Sequence, residues 1–199
     1  MHIDTTTRIY IAGCGGMLGE AVYERFAPIA DVRATDIDVN EPWLHHGDVR
    51  DYATMARQIA DFRPHVIVNL AAMTDLEECE GDVDRAWATN ALGAENLGLL
   101  AVEHDATYVY VSTAGIFGGE KEFYTDYDTP NPLGVYARSK YYGECYVRQS
   151  VPKHFAIRAG WMNRGWCAGT RSSPAWPALA WTGSLPRSGW RFSARTSSA

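Results

Sequence analysis

The sequence predicts an α/β fold, a doubly wound parallel sheet of the Rossmann type, and three observations predict it. Strand-like and helix-like runs alternate over residues 8–158. The first strand-like run, RIYIA, passes at once into the glycine-rich turn GCGGMLG. A later run, HVIVNL, is almost continuously apolar, as a strand buried on both faces must be. Strand and helix in alternation give parallel strands with helices on both faces, and ligands then lie beyond the carboxyl ends of those strands.

The elements follow in order. Arg8–Ala12 reads as strand, and Met17–Phe26 carries apolar residues at helical spacing. Val32–Asp36 is a second strand. Asp51 is placed to cap a helix through Phe62, with Tyr52, Met55, Ile59 and Phe62 on one face. His65–Leu70 is strand, and the acidic residues Asp75, Glu77, Glu78 and Glu80 read as a solvated loop. That loop leads into one long amphipathic helix, Asp82–Glu103, with Val83, Ala86, Trp87, Ala94, Leu97 and Leu100 inside. Thr107–Ser112 (TYVYVS) is β-branched and aromatic, hence strand. Gly134–Gln149 reads as helix and His154–Arg158 as strand.

Composition narrows the function classes. Apolar residues are 46% and charged residues 21%, as in globular domains. The longest apolar run, near Val66–Met73, is too short to cross a bilayer, and MHIDTTT lacks the pattern of a secretory leader, so no membrane association and a cytoplasmic location are expected. Cys14, Cys79, Cys145 and Cys167 show no metal-ligand spacing, and His45-His46 has no partners in sequence, so no metal is expected. All 24 acidic residues lie at or before Glu144, and residues 145–199 carry 8 basic side chains and no acidic ones. A strongly acidic body argues against nucleic acid as partner.

The chemistry concentrates at strand ends. Gly13, Gly16 and Gly19 fit G-x-x-G-x-x-G between a strand and a helix. Gly13 permits the turn, Gly16 admits a pyrophosphate to the helix N-terminus, and Gly19 allows close helix–strand packing. Asp36 ends the second strand, where a carboxylate accepts hydrogen bonds from an adenosine ribose and repels a 2′-phosphate, so NAD is favoured over NADP; Arg33 just before it would soften that preference. Asp48 and Val49 either read an adenine edge or form a turn and cap, while Ala71 and Ala72 are small where the chain passes the cofactor. Ser112-Thr113 closes a strand, and Tyr136 and Lys140 stand four apart on a helix, where an ammonium would lower the phenol towards working pH. Such a tyrosine passes a proton to a carbonyl oxygen that Thr113 holds.

With those residues in place, the chain resembles the extended short-chain dehydrogenase/reductases, and within them the dTDP-4-dehydrorhamnose reductases. The resemblance is carried by GCGGMLG, NLAAMTDLEECE, NALGAENL, VYVSTAGIFGG, PNPLGVYARSKYYGE and IRAGWM, over about residues 8–162. It implies an NAD(P)-dependent oxidoreductase that reduces a 4-keto nucleotide sugar. Thr113, Tyr136 and Lys140 match the catalytic set; Gly13, Gly16, Met17, Leu18, Gly19, Asp36, Asp48, Val49, Ala71 and Ala72, with Tyr136 and Lys140, match the cofactor site. The resemblance also points to a homodimer. Where reductases of this type follow the threonine with aspartate, this chain has Ala114-Gly115, and the missing carboxylates argue against sugar dehydration. A nucleotide-sugar 4-epimerase and a non-catalytic cofactor-binding regulator, or an inactive truncated product, are the alternatives.

Residues 1–162 are thus expected to form the dinucleotide domain, and 163–199 an irregular tail in place of a substrate region. The tail has seven Ser, five Arg and four Trp, and no Val, Ile, Tyr, Asp, Glu or Lys. No strand or helix period runs through it. A reading-frame shift near residue 163 accounts for that composition, and a family-like continuation in another frame of the coding DNA is its test. A disordered basic interaction tail is the rival reading.

Overall fold

The computed structural model describes residues 2–160, so the reading of 163–199, like Trp161 and Met162, lies outside the described residues. Six parallel strands form one sheet in the order β3-β2-β1-β4-β5-β6. They are β1 Arg8–Ala12, β2 Asp31–Asp36, β3 Leu44–His46, β4 Val66–Asn69, β5 Thr107–Thr113 and β6 His154–Ala159. The order reverses at β1, whose neighbours are β2 and β4, and Ala12 stands level with Thr35 and Asn69. The carboxyl ends of the strands therefore meet along one edge.

Helices cover the two faces unequally. Helix α1, Gly19–Phe26, packs on one face over a core of Ile9, Ile11, Ala34, Val66 and Val68. Helices α2 (Tyr52–Phe62), α5 (Gly93–Glu103) and α6 (Val135–Ser150) share the other, against Tyr10, Ile67, Tyr108 and Tyr110. On the α1 face, Val109 and Val111 of β5 stand beside Phe155 and Ile157 of β6, and both β6 side chains are about half exposed.

The α2 reading holds at its start, where Asp51 accepts from the Thr54 N–H at 3.1 Å. Met55, Ile59 and Phe62 are buried, but Tyr52, the first residue of the helix, is exposed. The long helix expected over 82–103 is broken. It comprises α4 (Val83–Trp87), a π-helical turn at Ala88–Leu92, and α5. The cause is tertiary: buried Asn90 turns inward to bind Met73, accepting from its N–H at 2.9 Å and donating to its carbonyl at 3.0 Å. A π turn absorbs the residue that this reach displaces. Val83, expected inside, is exposed, and Trp87 is half-buried in a T-shaped pair with Tyr142.

The acidic stretch expected as a loop forms a helix, α3 (Leu76–Gly81). Asp75 caps it by accepting from the Glu78 N–H at 2.9 Å, and Glu77 and Glu78 occupy its first turn, where the helix dipole favours negative charge. Helix α1 starts at Gly19, two residues later than expected, which leaves Met17 exposed in the turn and Leu18 as the cap. Strand β3 was not foreseen; its three residues are too few for an alternation to register.

Candidate active site

The glycine turn is dictated by backbone clearance. Gly13 has φ +77°, and a Cβ on it would lie 2.3 Å from the Ala71 nitrogen. A Cβ on Gly19 would lie 1.8 Å from the Cys14 carbonyl oxygen, because α1 starts directly against the end of β1. Gly16 differs: its nearest neighbour would be the Gly13 oxygen at 3.5 Å, an ordinary contact. Nothing in the described protein requires glycine there, so a requirement at Gly16 comes from what approaches the turn from outside. The amino end of α1 has no side-chain cap, which leaves its backbone donors free of side-chain competition.

Asp36 reaches this turn from the end of β2. Its Oδ2 accepts from the Gly15 N–H at 2.8 Å, and its Oδ1 accepts from the Asp38 N–H at 3.1 Å. Arg33 does not join it. Its guanidinium pairs with Asp61 at 2.8 Å and lies over the Phe62 ring, because alternate β2 residues point to opposite faces of the sheet. Asp48 is engaged by its neighbour Arg50 at 2.7 Å, and that hydrogen bonding holds its carboxyl below the usual range. Val49 is buried under α5, and Asn96 donates to its carbonyl at 2.9 Å. Ala71 and Ala72 are half-buried beyond β4, with the Ala71 N–H donating to Asn69 at 3.0 Å.

The second part of the site lies where β5 meets α6. Thr113 ends β5 and its Oγ1 accepts from the Gly115 N–H at 3.0 Å, which caps a short 3-10 turn at Ala114–Ile116. That bond leaves its O–H free to donate. Tyr136, in the first turn of α6, is half-buried. Burial pushes its phenol above the ordinary value, and the Thr113 hydroxyl works in the opposite direction.

Lys140 corrects the expectation that its charge lowers the Tyr136 phenol. The side chain is 2% exposed and turns down to the sheet, where Nζ donates to the Val111 carbonyl at 2.7 Å and sits 4.3 Å from the centre of the Tyr110 ring. Burial pulls the ammonium down to about 7, while the Glu144 charge opposes that shift. Residues four apart share a helix face, but a long side chain need not end beside its neighbour.

Sequence reasoning missed the buried polar residues beneath this pair. Asn90 donates to Ser139 Oγ at 3.0 Å, and the Tyr110 hydroxyl donates to the Lys140 carbonyl at 3.1 Å. Glu144, two turns beyond Tyr136, is 1% exposed and binds Ser112 and Arg158. The signal available was a glutamate recurring at i+4 and i+8 on the face that carries Lys140 and Tyr136. Among the described residues, no three His, Cys, Asp or Glu side chains cluster as metal ligands would, and no helix is long and apolar enough to cross a membrane.

Comparison with known proteins bears on the family and the fold. The dTDP-4-dehydrorhamnose reductase of Aggregatibacter actinomycetemcomitans is 30% identical over 155 residues, 77% of this chain and 51% of that protein. The structure of dTDP-4-dehydrorhamnose reductase from Bacillus anthracis, in complex with NADP, superposes with a TM-score of 0.73 at 30% identity, over 79% of this chain and 55% of that one. UDP-glucose 4-epimerase from Brucella ovis, in complex with NAD, gives 0.69 at 17% identity over 77% of this chain and 51% of that one, which shows a shared fold alone. The chain spans about half the length of the curated relatives it matches. Residues 7–165 match the family described as the RmlD substrate binding domain, and the chain belongs to that family within the extended short-chain dehydrogenase/reductases.

Proposed function

We propose that this chain carries the cofactor and proton-transfer half of an NAD(P)H-dependent reductase acting on a 4-keto nucleotide sugar. The observation that carries the reading is the convergence of Thr113 and Tyr136 at the sheet edge that also holds the glycine turn. The turn fits a dinucleotide: two glycines are required by the protein's own packing, and the third is open on the side from which a pyrophosphate would approach. Gly13, Gly16, Met17, Leu18 and Gly19 would hold the pyrophosphate, Asp36 the adenosine ribose, Asp48 and Val49 the adenine, Ala71 and Ala72 the passing chain, and Tyr136 and Lys140 the nicotinamide ribose. The bound nicotinamide would supply the hydride.

The remaining steps belong to the protein. Thr113 donates its free O–H to the substrate carbonyl oxygen and orients it. Tyr136 donates its proton to the same oxygen as that oxygen gains charge. The phenol is protonated at neutral pH, as a proton donor requires, and burial pushes it further up from its ordinary value. Reduction needs only a hydride and one proton, and Ala114 and Gly115 add no carboxylate for an elimination. The Asp36 carboxylate favours NAD, although the Bacillus anthracis relative was solved with NADP. No observation favours the epimerase or the regulatory reading over this one.

The test is thermal unfolding of the 199-residue chain with and without saturating NADH and NADPH. Binding to the native state raises stability by about 2.7 kcal/mol at a hundredfold excess over the dissociation constant. The expected result is a rise in midpoint, larger with NADH, together with NADH oxidation when a 4-keto nucleotide sugar is added and its loss in Tyr136→Phe. An unshifted cooperative transition with both cofactors rejects the reading.

A further inference from the structure

Behind the reacting side chains lies a buried charged group that the proposed reaction does not use. Glu144 Oε2 accepts from Ser112 Oγ at 2.7 Å. Arg158 donates its Nη2 to Glu144 Oε1 at 2.6 Å and its Nε to both oxygens at 3.1 and 3.2 Å. Arg148 approaches from the next turn of α6 at 3.5 Å. One carboxylate thus joins three elements: β5 beside Thr113, β6, and α6 one turn past Lys140. Apolar packing joins elements as well, and replacing a buried ion pair by it is often neutral or stabilising. The charge therefore calls for a reason beyond cohesion.

Lys140 provides one. The groups facing its ammonium are the Val111 carbonyl and Tyr110 ring from β5, and the Glu144 charge from its own helix. Arg158 faces Glu144 from β6 and Asp126 from the loop after β5 at 3.7 Å. Among these neighbours Glu144 supplies the anion that acts on Lys140. Burial pushes the Glu144 carboxyl up, but hydrogen bonds from Arg158 and Ser112 outweigh it and leave it below the ordinary value, so the carboxylate is ionised at neutral pH.

We infer that Glu144 is a positioning residue for the reacting set: it seats Thr113 through Ser112 and holds Lys140 on the Val111 carbonyl, the β5 position next to Ser112. The inference rests on the reading of Thr113, Tyr136 and Lys140 as that set. It also explains why the carboxylate is shared between a strand-end serine and the helix of the lysine.

The chain contains three lysines, Lys121, Lys140 and Lys153, so a full chain labelled with ε-13C lysine gives three signals to titrate. Lys140→Arg identifies the signal of Lys140. In the wild type it titrates near 7, apart from the two exposed lysines. In Glu144→Gln its midpoint falls by about one pH unit. Glu144→Asp, which keeps the charge, restores most of that shift, and Ser112→Ala, which removes one hydrogen bond and no charge, leaves the midpoint unchanged. An unchanged midpoint in folded Glu144→Gln overturns the inference, as does a wild type in which all three lysines titrate together. If Glu144→Gln fails to fold, carboxyl-13C glutamate in the wild type decides: one signal must move with the Lys140 midpoint, and a flat set of signals rejects the coupling. NADH binding to the same samples separates the two proposals. Lost coupling with binding intact rejects the role of Glu144 alone, and absent binding rejects the functional reading beneath it.

Discussion

The turn after β1 and the corner between β5, β6 and α6 flank one sheet edge, yet they are made of different materials. At the turn, side chains are excluded: Gly13 and Gly19 sit where any Cβ would strike backbone. At the corner, polar side chains are buried: Ser112, Ser139, Lys140 and Glu144 are each 3% exposed or less. A binding surface for a pyrophosphate needs backbone N–H groups and room, and supplies both without ionisable groups. A proton-transfer site needs charges away from water, where they act strongly and cost much. The turn is thus sensitive to volume, and the corner to charge and pH.

The most severe way to test that contrast is Gly19→Ala. Its Cβ would meet a backbone carbonyl that cannot rotate aside, so urea unfolding is expected to show a loss of about 4 kcal/mol or more, or no cooperative transition. A loss below about 1 kcal/mol would mean that the β1–α1 junction gives way, and the turn is not controlled by volume.

Next comes Glu144→Gln, which keeps the volume and removes the charge. It leaves Arg158 buried against a neutral partner, at a cost of about 3–5 kcal/mol at neutral pH. The folded carboxyl lies below its ordinary value of 4.5, so its stabilisation is present above that pH and is lost as pH falls through the folded value. The gap between wild type and variant should therefore close in acid; a gap constant with pH would assign the loss to packing.

Lys140→Met should act with the opposite sign. The folded ammonium lies at about 7 against an ordinary 10.5, so the protonated form is penalised in the native state. That penalty is full below pH 7 and fades as pH rises from 7 towards 10.5. The variant should be more stable by about 2 kcal/mol at neutral pH and below, after loss of the Val111 hydrogen bond, with the advantage shrinking in alkali. Destabilisation at every pH would show that Lys140 is held for packing.

Gly16→Ala has the smallest expected effect on the fold, within about 0.5 kcal/mol, because its Cβ meets only an ordinary contact. It should still weaken NADH binding by about tenfold, equivalent to about 1.4 kcal/mol. Unchanged binding would remove Gly16 from the pyrophosphate site.

The contrast also explains what could be read from the residues. Gly13, Gly16 and Gly19 are legible because a steric rule leaves a letter at fixed spacing. Strands β1 and β4 were legible for a similar reason, since burial on both faces demands unbroken apolar runs. Asn90 was not legible: its partner Met73 lies 17 residues earlier, and only the folded chain brings them together and inserts the π turn. Tyr136 and Lys140 were found as a pair, but spacing says where side chains start and not where they end. Glu144 went unread because a buried charge is specified by partners on β5 and β6, distant in sequence by 32 and 14 residues.

The sheet order carries a consequence for how the chain is made. Strand β1 lies inside the sheet, and Ile9 must stand beside Val66. At a synthesis rate of about 5–20 residues per second, roughly 3–11 s separate the two as the chain leaves the ribosome. For that interval Ile9, Tyr10 and Ile11, all but fully buried at the end, wait with one flank unpaired. Among the described strands, the earliest is therefore the one that waits longest for its last partner.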